Sequence, residues 1–260
     1  MNFLAQTWVG EWLMGLGRLA AMTRDAVASC LTFKASRRDL FYQIYFIGIK
    51  SQAVVLVTGA FTGMVLTAQT YFQFHKVKMD TATLGVVAVA MCDELGPVLT
   101  ALMVAGRVGA AIAAEIGTMR VTEQIDALRT LATHPIDYLV VPRFLASTLA
   151  LPLLTVESIA LGIGSGYLVG SQLLGIDPPY LYYNMLKYTT DTDVVFGIVK
   201  SFVYGGIVAL IGCYKGLSCG MGAEGVGRAT TEAVVYSSIT ILITNFFLTL
   251  FLQRIYLLMS

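Results

Sequence analysis

Charge is scarce in this chain of 260 residues: Asp, Glu, Lys and Arg make up 13%, against 57% hydrophobic residues and a mean hydropathy of +0.74. So little polar side chain cannot cover a soluble globule, which excludes a soluble enzyme, whereas several bilayer spans explain the balance directly. The formal net charge is only +1, and the Lys and Arg are scattered. No basic excess exists to follow a phosphate backbone, so nucleic acid is not the partner. Histidine is nearly missing as well, with only His75 and His134. The four cysteines, Cys30, Cys92, Cys213 and Cys219, lack CxxC spacing and sit mostly in apolar contexts. They read as small buried hydrophobes, with no metal site expected.

The motifs of catalysis are missing too. No GxxxxGK[ST] sequence occurs, so the chain has no P-loop of its own, and ATP-driven work has to come from another subunit. No HExxH or GxSxG occurs, and neither histidine lies near a plausible nucleophile in sequence. Gly220, Gly222 and Gly225 satisfy GxGxxG literally, but they follow an apolar run and lack the strand and ribose-binding acid that give the pattern meaning. They are expected to form a cytoplasmic turn. The first basic residue is Arg18, so no signal peptide is expected.

What is present is a series of long apolar runs. Five spans are expected: Ala53 to Phe72, Leu84 to Gly106, Phe144 to Leu174, long enough to tilt or to bend at Pro152, Val194 to Tyr214, and Ala233 to Leu252. All are expected to be helical, because the alternation of a barrel strand is absent. Before them, from Phe3 to Phe33, Trp8, Trp12, Leu16 and Leu19 recur at helical spacing, while Glu11, Arg18 and Asp25 fall on another face. That pattern predicts a helix lying in the membrane interface, with a sixth span as the competing reading. The fold class expected is an all-α integral membrane protein: an N-terminal interfacial helix and elbow over 1–40, then a five-span domain over 41–260.

Lys and Arg set the expected orientation. Arg18, Arg24, Lys34, Arg37, Arg38, Arg107, Arg120, Arg129, Arg143, Lys215 and Arg228 fall on the side of the N-terminal helix, and Lys76, Lys78, Lys187 and Arg254 on the other. Eleven against four predicts a cytoplasmic N-terminus and an external C-terminus. The link between the second and third spans is then cytoplasmic. Over about 118–134, Val121, Ile125, Leu128 and Ala132 keep helical spacing, with Glu123, Gln124, Asp126 and Arg129 on other faces. A short amphipathic helix there can dock into a soluble protein or rest on headgroups.

Small residues predict where spans meet. Ala101, Ala105, Gly109, Ala113 and Gly117 repeat every fourth position, as do Gly59 and Gly63, and Gly162, Gly166 and Gly170. The exceptions to all this apolarity are the most informative residues. Asp93 and Glu94 stand together in the second span, three residues before Pro97. An acid at bilayer depth costs about 2.5–3.5 kcal/mol, so the pair is expected to face a wet cavity or a partner, or else to cap a helix broken near Gly96 and Pro97. Lys200 interrupts the fourth span and either pairs with an acid or snorkels to the interface, while Lys50 is expected to snorkel. Glu157 is a further acid in the third span, with no partner evident in the sequence.

One ordered series of residues carries a resemblance. Glu94-Leu95-Gly96-Pro97, Ala105-Gly106-Arg107, Ala114-Glu115-Ile116-Gly117-Thr118-Met119-Arg120, Thr122-Glu123-Gln124-Ile125-Asp126-Ala127-Leu128, Pro142-Arg143-Phe144 and Arg228-Ala229-Thr230-Thr231 resemble the MlaE (YrbE) permeases, membrane subunits of ABC transporters that work with Mce-domain proteins. The resemblance covers nearly the whole chain. It implies a homodimer in the inner membrane of a Gram-negative bacterium, bound to an MlaF-like ATPase that holds ATP and magnesium, an MlaB-like STAS-domain protein and an MlaD-like periplasmic Mce-domain hexamer. The cargo implied is phospholipid, moved between the inner membrane and a periplasmic carrier system that maintains outer-membrane lipid asymmetry.

By the same resemblance, Arg120, Glu123, Gln124, Ile125, Asp126 and Arg129 belong to the coupling helix that meets the ATPase. A lipid cavity needs apolar walls and some charge. Leu66, Gln69, Tyr71 and Phe72 suit the wall and mouth, and Asp93, Glu94 and Lys200 supply charge at depth. Some members carry a basic residue before the ELGP motif and an acid in the last span; here those positions are Asp93 and Asn245. Two rival readings are an ion-coupled secondary transporter using Asp93, Glu94 and Lys200 as a relay, and a structural anchor for an Mce protein.

Overall fold

Hydrocarbon offers the backbone no water to bond, so a chain this apolar has to satisfy its amides within helices. The computed structural model describes residues 8–31 and 37–259, and among these the regular elements are helices alone. They are α1 (Trp8–Leu31), α2 (Arg37–Ile44), α3 (Lys50–His75), α4 (Thr83–Ala90), α5 (Gly96–Val104), α6 (Ala110–Val121), α7 (Gln124–Thr130), α8 (Val141–Leu168), α9 (Pro178–Tyr188), α10 (Asp191–Leu217) and α11 (Gly222–Met259).

Five helical stretches among the described residues are long and apolar enough to cross a membrane: Arg38–His75, Asp80–Val121, Ile136–Leu173, Asp191–Leu217 and Gly222–Leu258. Each contains or nearly contains one expected span and runs past its apolar centre into polar flanks. The protein is therefore an all-α membrane protein with five candidate crossings. Helix α1 is not among them; the expected ends of that helix, Phe3 and Phe33, and Lys34 lie outside the described residues.

Wide π turns join the α-helical pieces of the first two crossings, at Tyr45–Ile49, Met91–Leu95 and Ala105–Gly109, and flank α8 in the third, at Ile136–Val140 and Val169–Leu173. A π turn accommodates one extra residue and shifts the face that follows, which periodicity in a uniformly apolar run cannot reveal. Pro152 lies within α8, which nevertheless stays continuous from Val141 to Leu168.

Two compact units make up the chain. One consists of the chain up to Ile44, Ala105–Ser147 and Gly206–Ser237. Here α1 packs on the Ile136–Val140 turn, and the Ser29 hydroxyl donates to Asp137 Oδ1 at 2.5 Å. Arg143, 5% exposed, donates from Nη1 to the Leu139 carbonyl at 2.7 Å and pairs through Nη2 with Glu115 at 2.8 Å. Two of the motifs quoted above thus meet in one ion pair. Between α10 and α11 the chain turns at Gly222, whose φ of +81° suits only glycine without strain. Lys215 and Arg228 both donate to Glu232, at 2.8 and 2.9 Å.

The other unit consists of Tyr45–Val104, Thr148–Gly205 and the chain from Ser238 onward. Its α3 and α8 approach backbone to backbone: a Cβ on Gly63 would collide with the Gly162 carbonyl, and one on Gly59 would meet Ser158. The glycine spacing thus marks a real close contact. Leu84, Ile176 and Leu181 form a small core under Tyr71, Tyr167, Leu174 and Met185. Helix α9 is absent from the sequence reading, although Asp177 at its N-cap followed by Pro178 and Pro179 is a recognisable start.

Candidate functional site

The π turn Met91–Leu95 holds Asp93 and Glu94. Pro97, four residues after Asp93, has no N–H, so the Asp93 carbonyl loses its ordinary helical donor. Lys200 of α10 replaces it: Nζ donates to that carbonyl at 2.7 Å, to Asp93 Oδ1 at 3.0 Å and to Glu94 Oε1 at 2.9 Å. An ammonium has three hydrogens, and all three are used. Lys200 is 0% exposed. It therefore pairs and does not snorkel, and neither acid caps a broken helix end.

Glu94 is bound on both oxygens. Thr249 donates to Oε1 at 2.7 Å and Asn245 Nδ2 to Oε2 at 2.9 Å, while Asn245 Oδ1 accepts from the buried Tyr204 hydroxyl at 2.6 Å. A network thus runs from Tyr204 through Asn245, Glu94 and Lys200 to Asp93. Of the expected cavity residues, Asp93, Glu94, Lys200 and Asn245 come together in it. Sequence reasoning missed Tyr204 and Thr249. Each lies four residues beyond a member already named, Lys200 or Asn245, and so one helical turn along the same face.

The other cavity candidates sit apart from these hydrogen bonds. Leu66 is half-buried, Gln69 and Phe72 are exposed, and Tyr71 packs against the Leu84 core. Glu157 finds a partner in Gln52, whose Nε2 donates to both carboxylate oxygens at 3.1 and 3.0 Å. Lys50 is exposed, with Nζ 5.3 Å from the Phe46 ring centroid.

Beside Asp93 lies a cavity of about 300 Å³, lined also by Asp193, Phe196, Gln253 and Tyr256. The Asp193 carboxylate is fixed at the start of α10, accepting the Thr190 N–H at 2.8 Å. Phe196 and Tyr256 meet edge to face, with centroids 6.4 Å apart.

The amphipathic link forms a shorter helix than its pattern suggested. Helix α6 carries Arg120 and ends at Val121; Glu123 adopts a left-handed φ of +59°, and α7 covers only Gln124–Thr130. Ile125 is buried and anchors it, while Glu123, Gln124, Asp126 and Arg129 are exposed, the last two paired at 2.9 Å. Arg120, Ile125, Asp126 and Arg129 line a cavity of about 820 Å³ with His134 and Leu217.

Five apolar crossings with a hydrogen-bonded charge network inside them define a polytopic membrane protein of the transporter kind. Comparison with known sequences narrows this. The model of the Permease MlaE family matches residues 40–251. A protein of Rickettsia conorii named as a probable ABC transporter permease is 44% identical over 92% of each chain. The intermembrane phospholipid transport system permease protein MlaE of Haemophilus influenzae is 34% identical over 92% of each. TRIGALACTOSYLDIACYLGLYCEROL 1, a chloroplastic protein of Arabidopsis thaliana, is 40% identical over 87% of this chain and 65% of its own. The chain belongs to the MlaE permease family, and is an ABC transporter permease homologous to MlaE.

Proposed function

We propose that this permease moves phospholipids between the inner membrane and a periplasmic Mce-protein carrier system, as a homodimer driven by a separate MlaF-like ATPase and accompanied by an MlaB-like STAS-domain protein. The observation that carries the reading is the network around Lys200. Placing three ionisable side chains, one of them fully buried, within bilayer crossings is costly, and a place where a lipid headgroup passes gives that cost a use. The name of the Haemophilus influenzae relative supports the cargo. Leu66, Gln69, Tyr71 and Phe72 provide wall and mouth.

Movement enters through the segment around α7. ATP binding and hydrolysis in the partner displace α7, which the buried Ile125 ties to the rest of its unit, and the displacement opens or closes the lipid cavity between protomers. With a cytoplasmic N-terminus, α7 faces the ATPase and α9 the periplasm. The test is photocrosslinking in native membranes. A photoreactive residue at Leu66 or Tyr71 captures phospholipid, and one at an exposed apolar position of the last span, such as Ile243, captures only background. Equal labelling at both refutes a defined path, and proton-driven transport by the isolated chain without an ATPase would establish the secondary-transporter reading instead.

A further inference from the structure

We propose that the cavity between Asp93, Asp193, Phe196 and Tyr256 receives the ammonium group of a phospholipid headgroup, so that the permease selects amine-bearing lipids over anionic ones. This rests on the phospholipid reading above and specifies the headgroup. Three observations carry it. First, the cation of this network has nothing left to offer a phosphate: all three hydrogens of Lys200 are committed to Asp93 and Glu94. Second, the surrounding charge is negative. Asp93 and Asp193 line the cavity, the Lys200 ammonium is taken up by Asp93 and Glu94, and no Lys, Arg or His is among the lining residues. Lys187, on the nearby α9, lies over the Tyr183 and Tyr188 rings, and Arg254 is exposed beside the lining Gln253.

Third, the walls suit an organic cation. Phe196 and Tyr256 meet edge to face, and aromatic faces attract ammonium groups, quaternary ones included, while nearby carboxylates supply the opposing charge. Asp193 is held in place by its bond from the Thr190 N–H, so the acidic side of the box is set before a ligand arrives. A cavity of about 300 Å³ has room for a headgroup amine beside the network, with the acyl chains left outside it. An inorganic cation would use the carboxylates and leave the ring pair without a role.

The experiment uses the purified permease with its ATPase in vesicles of equal phosphatidylethanolamine, phosphatidylcholine and phosphatidylglycerol, with a photoreactive residue at Thr192 on the cavity wall. The expected result is enrichment of the two amine lipids over phosphatidylglycerol by roughly fivefold or more, lost in Asp193→Asn and reduced in Phe196→Leu. Capture in proportion to the bulk composition overturns the proposal, as does unchanged selectivity in both variants. If soluble choline or ethanolamine abolishes labelling and no amine lipid is recovered, the occupant is a free cation and the lipid assignment fails. A probe at Leu66 separates the two levels: no phospholipid there sinks the transport reading, whereas phospholipid without headgroup bias at Thr192 sinks only this inference.

Discussion

Lys200 and Glu94 lie 106 positions apart, yet Nζ of one is 2.9 Å from Oε1 of the other, with the lysine fully buried and the glutamate partly so. The pair is one strand of a network in which the lysine also replaces the helical donor that Pro97 cannot supply to the Asp93 carbonyl. Charge pairing and backbone repair therefore depend on the same side chain.

Replacing that side chain should be severe. Lys200→Met leaves two carboxylates facing each other and a carbonyl without a donor, which corresponds to about 3–5 kcal/mol for breaking a buried pair. Purified variant should show a markedly lower melting temperature in detergent. Asp93→Asn and Glu94→Gln added to Lys200→Met should recover part of the loss, because neutral amides no longer repel. A triple variant as unstable as the single one would show that the carbonyl contact, and not charge, dominates.

Tyr204→Phe is the milder probe of the same network. It removes the hydroxyl that donates to Asn245 Oδ1 at 2.6 Å and leaves the amide oxygen unsatisfied, costing about 1–3 kcal/mol. Asn245→Leu should then add less than its own single effect, since the two residues share one interaction. Thermal unfolding of the four proteins of this double-mutant cycle measures the coupling, and strict additivity would contradict the hydrogen bond.

Much of this was legible before any coordinates. Five long apolar runs gave five crossings, and four of the polar residues within them, Asp93, Glu94, Lys200 and Asn245, proved to be in one network, whereas Glu157 pairs with Gln52 instead. Partner choice was not legible: Lys200 could equally have reached the interface, and only the packing of α10 beside the Met91–Leu95 turn decides it. Tyr204 and Thr249 look like ordinary membrane residues, and only their spacing of four from Lys200 and Asn245 hints at their role. The π turns left no trace, since extra residues in an apolar run do not disturb a pattern that is apolar throughout. Around α7 the spacing suggested a longer helix, but the left-handed backbone at Glu123 and again at Ala132, φ +55°, confines it to Gln124–Thr130.

The α3–α8 contact gives a paired prediction. Gly63→Leu forces a side chain into the Gly162 carbonyl, so the helices must separate, with an expected loss of about 1–3 kcal/mol or outright misfolding. Gly164→Ala is the control: nothing lies within 4 Å of its Cβ position, and replacing a mid-helix glycine by alanine should be neutral or stabilising by up to about 1 kcal/mol. Melting temperatures of the two variants decide it, and a destabilised Gly164→Ala would mean that this face is covered by another helix in the assembly.

Helix α7 allows function to be separated from stability. Glu123 and Arg129 are exposed, and the Arg129–Asp126 pair at 2.9 Å has side chains 67% and 68% exposed. Such a pair contributes at most about 1 kcal/mol to the fold. Glu123→Lys together with Arg129→Glu should therefore leave expression and melting temperature nearly unchanged. If α7 is the surface on which the ATPase docks, reversing both charges opposes the partner's own pattern, where like charges brought together cost several kcal/mol. The ATPase should then no longer co-purify, and permease-stimulated ATP turnover should fall to the level of the ATPase alone. Ile125→Asp should behave differently, since it buries a charge under the helix and lowers stability as well. Normal co-purification and turnover in the double charge reversal would rule α7 out as the docking surface, and the search would move to other exposed parts of the same unit, beginning with the Gly222 turn.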